Sequence, residues 1–467
     1  MTALTSSSTT DVGTDRADPL TSRATLAPTE NLSVRGRVER TAARRGPDPV
    51  PWIAWLYVLN FLLQRISLPG ISIPLTVPIT LAWLVFAWRA KVLVIEPRRM
   101  SLWVFAAGAA AFMVVPQILW VDQLYISPGS WAFWMVIWVP MCFMFADRSR
   151  ETFNRALRAI TTIGVWIASL SVFFFASQVA GLPYRDYLGE ALPSDLLVQD
   201  FVISYPIFYD SPLYKSNGWV ALEPSFMSFT LGMCIMAGLL TSASVWKIAW
   251  MAAGMIVTVG GSGFAIVLAG VVVMVLCRQG RLLRPYLVPA VILGFIAAPT
   301  QVGQQIWTRL SEGSSSNSST ALRTFEPYVY LWPRWIEDWP RVLFGGGAGS
   351  SHLIVGGSGV RGLVVPTIGK VFYDYGLVVG ALLFLVFVVS YVRSPEPALG
   401  MTVLASMAII QPPAQPLMVP AYLLVTLFAP ALRGDRPNGT GPQRREPPPG
   451  LLKRLRPRRA ARRHVPS

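Results

Sequence analysis

Charge is the scarcest commodity in this chain. Only 14% of its 467 residues are Asp, Glu, Lys or Arg, where a soluble domain carries about 25%. Hydrophobic residues make up 53%, and the mean hydropathy is +0.48. So little charge cannot dress a water-facing surface, which excludes an ordinary soluble enzyme. Histidine is nearly absent: His352 is the only one outside the last seven residues. With no second histidine beside it and no carboxylates at ligand spacing, no metal site is expected. The three cysteines (Cys142, Cys234, Cys277) lie inside apolar runs without pairing or ligand spacing, and read as packing residues. The first fifty residues lack an apolar core, so no cleavable signal is expected, and the segment from Trp52 serves as an uncleaved anchor.

What is present is a series of uncharged apolar runs between Trp52 and Leu432, among them Ser101–Trp120, Pro128–Ala146 and Ala159–Gly181. Runs of about twenty residues cross a hydrocarbon core of ~30 Å as helices, because lipid cannot satisfy bare backbone groups. Spans are predicted at 51–67, 71–89, 101–120, 128–146, 158–181, 224–243, 246–260, 262–277, 285–300, 367–392, 398–411 and 413–432. The uncharged stretch Ile248–Cys277 is too long for one helix at ~1.5 Å per residue. Gly260-Gly261-Ser262-Gly263 near its middle predicts a hairpin of two short helices. The fold expected is an all-α polytopic membrane protein of about 12 transmembrane helices.

Charge placement orients these spans. The N-tail (residues 1–50) has seven Arg and six acids and reads as disordered; the C-tail (433–467) has eleven Lys or Arg and two acids. Loops holding Arg89 and Lys91, Arg148 and Arg150, Lys247, Arg278 and Arg281, and Arg393 alternate with loops almost free of basic residues. The positive-inside rule then places both tails in the cytoplasm. The C-tail has no aromatic residues between its basic ones to stack on bases, so contact with anionic lipid is expected and nucleic acid is not.

Two long loops fall on the outer side: an acidic one, Leu182–Gly218, and a larger one, Gln301–Val365. Loops this long are uncommon unless functional or disordered. Their shared side suggests an enzyme working at a membrane surface rather than a pore. In the second loop, Tyr328, Leu331, Trp332, Trp335, Ile336 and Trp339 predict an amphipathic helix. Arg309, Arg323, Arg334 and Arg341 sit there against the topological bias, and guanidinium groups suit bidentate contact with diphosphate. Glu223 precedes Pro224 at the start of the sixth span, either as a helix-start acid or as a base at the bundle mouth. His352 follows the Gly345–Gly349 turn and has an ordinary pKa suited to accepting a proton. Lys370 and Asp374, four residues apart at the start of the tenth span, share a face and can pair. The glycine run is no P-loop, since it lacks the Lys-Ser/Thr and a preceding strand.

Taken in order, several of these pieces resemble the O-antigen polymerase and O-antigen ligase superfamily of bacteria. Glu223-Pro224-Ser225 is similar to an acid-containing motif of its exopolysaccharide polymerases. Arg323, Tyr328 to Trp335, Pro340 and Phe344-Gly345-Gly346-Gly347 resemble its Arg, aromatic helix, Pro and Gly-rich turn. Tyr373-Asp374-Tyr375-Gly376-Leu377 resembles the acid-x-Gly-Leu that opens the following span. Two departures stand out. Gly260–Gly263 lacks the Arg of the family's Ser-Arg hairpin, and Pro366-Thr367 stands where the ligase branch has His-Asn.

The resemblance implies a GT-C-like fold and glycosyl transfer at the outer leaflet from a polyprenyl diphosphate-linked glycan, with no metal or nucleotide cofactor. With it, Arg323, then Arg309, with Arg341, Lys370 and Asp374, are expected as substrate-binding residues, and Glu223 and His352 as the two candidates for the catalytic base. Membrane lipids and other polysaccharide assembly proteins are the partners expected. A lipid-linked glycan flippase or another transporter, and a non-catalytic scaffold, remain the alternatives.

Overall fold

The computed structural model describes residues 46–69, 71–198, 201, 203–207, 211–300, 303–304, 322, 325–360, 363–409 and 418–431. Arg309, Arg323 and nearly all of both tails therefore lie outside the described residues. The described body begins earlier than the expected boundary at residue 50. Asp48 accepts the Val50 amide and pairs with Arg155 at 2.9 Å.

The chain is mostly helical. In order, it forms α1 (Val50–Leu63), α2 (Thr76–Arg89), α3 (Pro97–Phe112), α4 (Val114–Trp120), α5 (Pro128–Trp138) and α6 (Arg150–Val179). After the short α7 (Tyr187–Ala191) come α8 (Pro224–Leu240), α9 (Val245–Ile256), α10 (Gly261–Leu276) and α11 (Arg284–Ala297). The second long loop folds as α12 (Glu326–Ile336), α13 (Trp339–Phe344) and α14 (Ser350–Gly356), followed by α15 (Thr367–Val392), α16 (Pro397–Ile409) and α17 (Met418–Phe428). Among the described residues, three helical segments are long and apolar enough to cross a membrane: Pro97–Trp120, Arg150–Val179 and Thr367–Val392. Apolar side chains crowd the outside, with Phe112 80% and Phe295 78% exposed. A water-facing surface would not tolerate this, and a lipid-facing one requires it.

Local chemistry sets the helix starts. Glu96 accepts the Arg99 amide at 2.5 Å, Ser127 that of Ser130 and Ser149 that of Thr152, each satisfying an orphan donor of a first turn. The predicted hairpin of α9 and α10 is present, turning at Val257–Gly260.

Two predicted spans are not helical throughout. The run 128–146 stops at Trp138, because Pro140 removes a backbone donor. It continues as a 3₁₀ turn into β4 (Phe143–Phe145), which pairs antiparallel with β3 (Leu93–Ile95). Likewise 51–67 ends as helix at Leu63, and Ser67–Leu68 (β1) pairs with Ile71–Pro74 (β2) around a Pro69-Gly70 turn signal before α2 begins at Thr76. Trp339, expected in the amphipathic helix, opens α13 instead. Cys142 and Cys234 are buried as expected, but Cys277 is exposed.

One continuous core runs through the helices, burying α8 along nearly its whole length, and α5, α15 and α17 meet within it. Trp138 stacks on Phe387 at 4.0 Å between ring centroids, and Tyr422 Oη donates to Ile137 O at 2.9 Å. The connections gather into two sets. In one, Arg99 donates to Thr426 O, Ala429 O and Pro430 O, Arg150 pairs with Glu396, and Arg393 reaches Ala431 O. In the other, Arg65 pairs with Asp186, Leu222 donates to Gln64, and Ser127 donates to Ala348 O. The long helices α6 and α15 run from one set to the other.

Candidate functional site

The second set of connections carries two motif clusters. In the first, the Gly-rich turn after α13 lies backbone to backbone against a break in α15. Gly376 leaves the helix with φ 68 and ψ −178, a conformation open essentially to glycine alone. A Cβ there would stand 2.3 Å from Leu343 O, and one on Gly345 (φ 83) 2.4 Å from Asp374 O. The amides of Gly346 and Gly347 donate to Tyr373 O and Asp374 O at 2.8 and 3.1 Å. Gln117 Nε2 donates to Phe344 O at 2.6 Å and Asp374 O at 3.2 Å. Thus the carbonyls freed by the break find partners.

Asp374 fastens this joint. Its fully buried carboxylate accepts from the Gly349 amide (3.0 Å), the Ser351 amide (2.9 Å), Ser350 Oγ (3.2 Å) and Lys370 Nζ (2.7 Å). The expected Lys370–Asp374 pair therefore exists, and Lys370 also lies over the Trp134 ring. Four donors occupy about all the acceptor positions a carboxylate has. Both residues are buried and line neither pocket described below. Their expected role in substrate binding gives way to an anchoring one.

Beside the joint lie two adjoining compartments. The first is an apolar groove of about 240 Å³ between α12 and α15, walled by Tyr328, Leu331, Trp332, Trp335, Phe372 and Leu377, among others. The second is a pocket of about 370 Å³. Its walls include Tyr125, Tyr330, Arg334, Arg341, Ser350 and Tyr373, and they carry two guanidinium groups and no carboxylate. Tyr373 belongs to both. The division follows helical spacing: positions 328, 331, 332 and 335 of α12 face the groove, and 330 and 334 the pocket. Arg341 is held in place by Arg334 O at 3.0 Å and Asp122 O at 2.5 Å, with the Asp338 carboxylate 3.9 Å from its Nε.

Of the described residues singled out from sequence, Arg334 and Arg341 line the pocket. His352 is exposed on α14, next to the pocket-lining Leu353. Desolvation by the surrounding protein and then the Lys370 ammonium lower its pKa to about 4 against the opposing Asp374 charge. The ring's exposure offsets part of that desolvation, and either way the imidazole is neutral at pH 7.

Glu223 stands in the second motif cluster. It is buried at the N-cap of α8, accepts from Ser225 Oγ at 2.8 Å, and lines neither pocket. The cluster joins this helix start to the Gly260–Gly263 hairpin. Ser228 Oγ donates to Gly260 O at 2.7 Å and Ser262 Oγ to Ser225 O at 2.6 Å. A Cβ on Gly263 would meet Ser228 O at 2.2 Å. Glu223-Pro224-Ser225 and the Gly260–Gly263 hairpin thus touch each other, and neither lines the two pockets.

Sequence reasoning missed Gln117 and the place of Tyr373 between the two compartments. Gln117 was legible as the only strong polar side chain in an otherwise apolar run. Compared with known families and with curated proteins, the chain matches no family model and no curated protein.

Proposed function

We propose that this chain is a membrane glycosyltransferase that polymerises, or ligates, polyprenyl diphosphate-linked glycan units at the outer face of the bacterial cytoplasmic membrane, crossing that membrane twelve times. The observation that carries the reading is the abutment of an apolar groove and a doubly cationic pocket across one residue, Tyr373. That arrangement suits an amphiphile with an apolar tail and an anionic head. The glycan comes from the motif resemblance.

In this reading the bond between the donor sugar's anomeric carbon and the diphosphate oxygen breaks, and the diphosphate leaves with the electron pair. The Arg341 guanidinium, already fixed by two carbonyls, stabilises the departing charge without reorganising. The acceptor hydroxyl forms the new bond and gives up its proton. His352, adjacent to the pocket wall, is favoured as the acceptor of that proton over Glu223, which stands in the other cluster.

One observation favours the transporter alternative. A broken helix beside a buried ionisable pair, as at Gly376 and Asp374, is a familiar feature of transporters. Against it, Tyr373 O and Asp374 O at the break are already engaged by the glycine amides and by Gln117.

Analysis of lipid-linked glycan in a strain lacking the chain tests the proposal. Single repeat units accumulating at the outer leaflet support a polymerase, and finished but unattached polymer supports a ligase. Units trapped at the inner leaflet indicate a transporter, and an unchanged glycan profile rejects the proposal altogether.

A further inference from the structure

We infer that the Tyr373 hydroxyl, together with Arg334 and Arg341, forms a phosphate-selective seat at the junction of groove and pocket, and that Tyr373 acts there as a positioning residue. The inference rests on the lipid-linked donor proposed above and adds which residues read its head.

Tyr373 is 3% exposed, and its hydroxyl has the Arg341 side chain as a near polar neighbour, without a well-formed hydrogen bond to any described residue. Buried tyrosine hydroxyls ordinarily find a partner, and one left without is costly. Its surroundings explain what is wanted. Its ring packs with Leu331, Val355 and Val365, so the residue is fixed. Both guanidinium groups, Arg341 and Arg334, lie close enough to act on the hydroxyl electrostatically. A donor beside two cations calls for an acceptor of negative charge, and the pocket walls supply no carboxylate. A phosphate oxygen fits, since it accepts from a phenol and from guanidinium groups together.

Arg334 is exposed, and Arg341 uses the Arg334 carbonyl rather than its side chain, leaving that side chain able to swing to a ligand. The groove opens from the other side of the same tyrosine. A tail lying along Trp332 and Trp335 would therefore bring its first phosphate to the hydroxyl. Local pattern gave no hint of this role, since Tyr373 reads as one more aromatic at a span start.

The test uses the full chain in lipid nanodiscs and compares equilibrium binding of an isoprenyl diphosphate, the isoprenyl alcohol of the same length, and inorganic pyrophosphate. The diphosphate should bind at least about tenfold more tightly than the alcohol. Tyr373→Phe should remove most of that preference, leaving alcohol binding unchanged and shifting the thermal midpoint at most slightly, through the lost contact with the Arg341 guanidinium. Arg334→Gln should reduce the preference severalfold. Trp332→Ala should weaken diphosphate and alcohol alike.

Equal binding of diphosphate and alcohol by the wild type overturns the inference, as does an unaltered preference in Tyr373→Phe. Pyrophosphate binding as tight as that of the isoprenyl diphosphate overturns it too, since the site would then serve a free anion. The two readings fail separately. Normal polymer in a strain lacking the chain sinks the proposed function but leaves the binding difference intact. An unaltered Tyr373→Phe preference sinks the seat and leaves polymer synthesis untouched.

Discussion

Arg65 shows how a single buried charge ties down a loop. It is 1% exposed and meets Asp186 through both terminal nitrogens at 2.6 Å, while donating to Trp219 O at 3.1 Å. Burial works to raise the Asp186 pKa, but the hydrogen bond and charge of Arg65, with the amides of Gly189 and Leu188, outweigh it and hold the carboxyl below its ordinary value. A group with a depressed folded pKa stabilises the fold above its unfolded pKa, about 4, and loses that contribution as pH falls through the folded value. Asp186→Asn leaves the guanidinium buried and unpaired. Breaking a fully buried pair costs about 3–5 kcal/mol. Asp186 is 27% exposed, so solvent screens part of that, and a loss of about 2 kcal/mol is expected. Unfolding midpoints of the two proteins in detergent should differ most near neutral pH and converge in acid. A gap that stayed constant down to the lowest accessible pH would assign the loss to packing rather than charge. The Lys370–Asp374 pair could be read from its four-residue spacing. The Arg65 pair could not, because its partner stands 121 residues away and only folding brings the two together.

Helices were legible wherever the chain was apolar and free of proline. Elements were misread where backbone chemistry overrode hydropathy. Pro140 ended α5 early, and Phe143-Met144-Phe145 beyond it, with its two aromatic residues, paired as a strand with Leu93–Ile95. The break in α15 was hidden for a different reason. Tyr373-Asp374-Tyr375-Gly376 reads as a helix start by resemblance, and one glycine in a helical pattern does not declare a kink. Only the approach of Leu343 O and the Gly345 amide explains why a side chain is excluded there. Gly376→Ala should therefore destabilise by at least about 2 kcal/mol, combining a backbone conformation closed to alanine with a steric overlap at 2.3 Å. Gly356, the last residue of α14, is the control. A Cβ there meets no heavy atom within 4 Å, so Gly356→Ala should be neutral or stabilise by up to about 1 kcal/mol. Thermal midpoints of the purified variants decide it. Equal tolerance at both positions would mean that α13 does not dock on the break.

For the molecule as a whole, the alternation of basic and non-basic loops sets which connections are expected to share a side, and several contacts join connections given the same side. Arg99 with Ala429 and Arg150 with Glu396 join stretches assigned to the cytoplasm. Arg65 with Asp186, Ser127 with Ala348, and Ser262 with Ser225 join stretches assigned to the outside. The site was only partly legible, because the charged residues drew attention as ligands while Asp374 and Lys370 turned out to satisfy each other. The sidedness of the whole arrangement is open to direct test with the chain's own cysteines. Cys142 and Cys234 are buried, but Cys277 is exposed at the end of α10 assigned to the cytoplasm. A membrane-impermeant maleimide should label Cys277 only after cells are permeabilised. In a Cys277→Ser background, Tyr187→Cys and Trp339→Cys, at positions 57% and 73% exposed in the two outer loops, should label on intact cells. Arg89→Cys and Arg281→Cys, also at exposed positions, should require permeabilisation. Since α8 to α11 lie between Tyr187 and Trp339, labelling of those two from opposite sides would mean an odd number of crossings in that stretch. The cationic pocket and the acidic first loop would then face different compartments, and no reaction at a single membrane surface could use both.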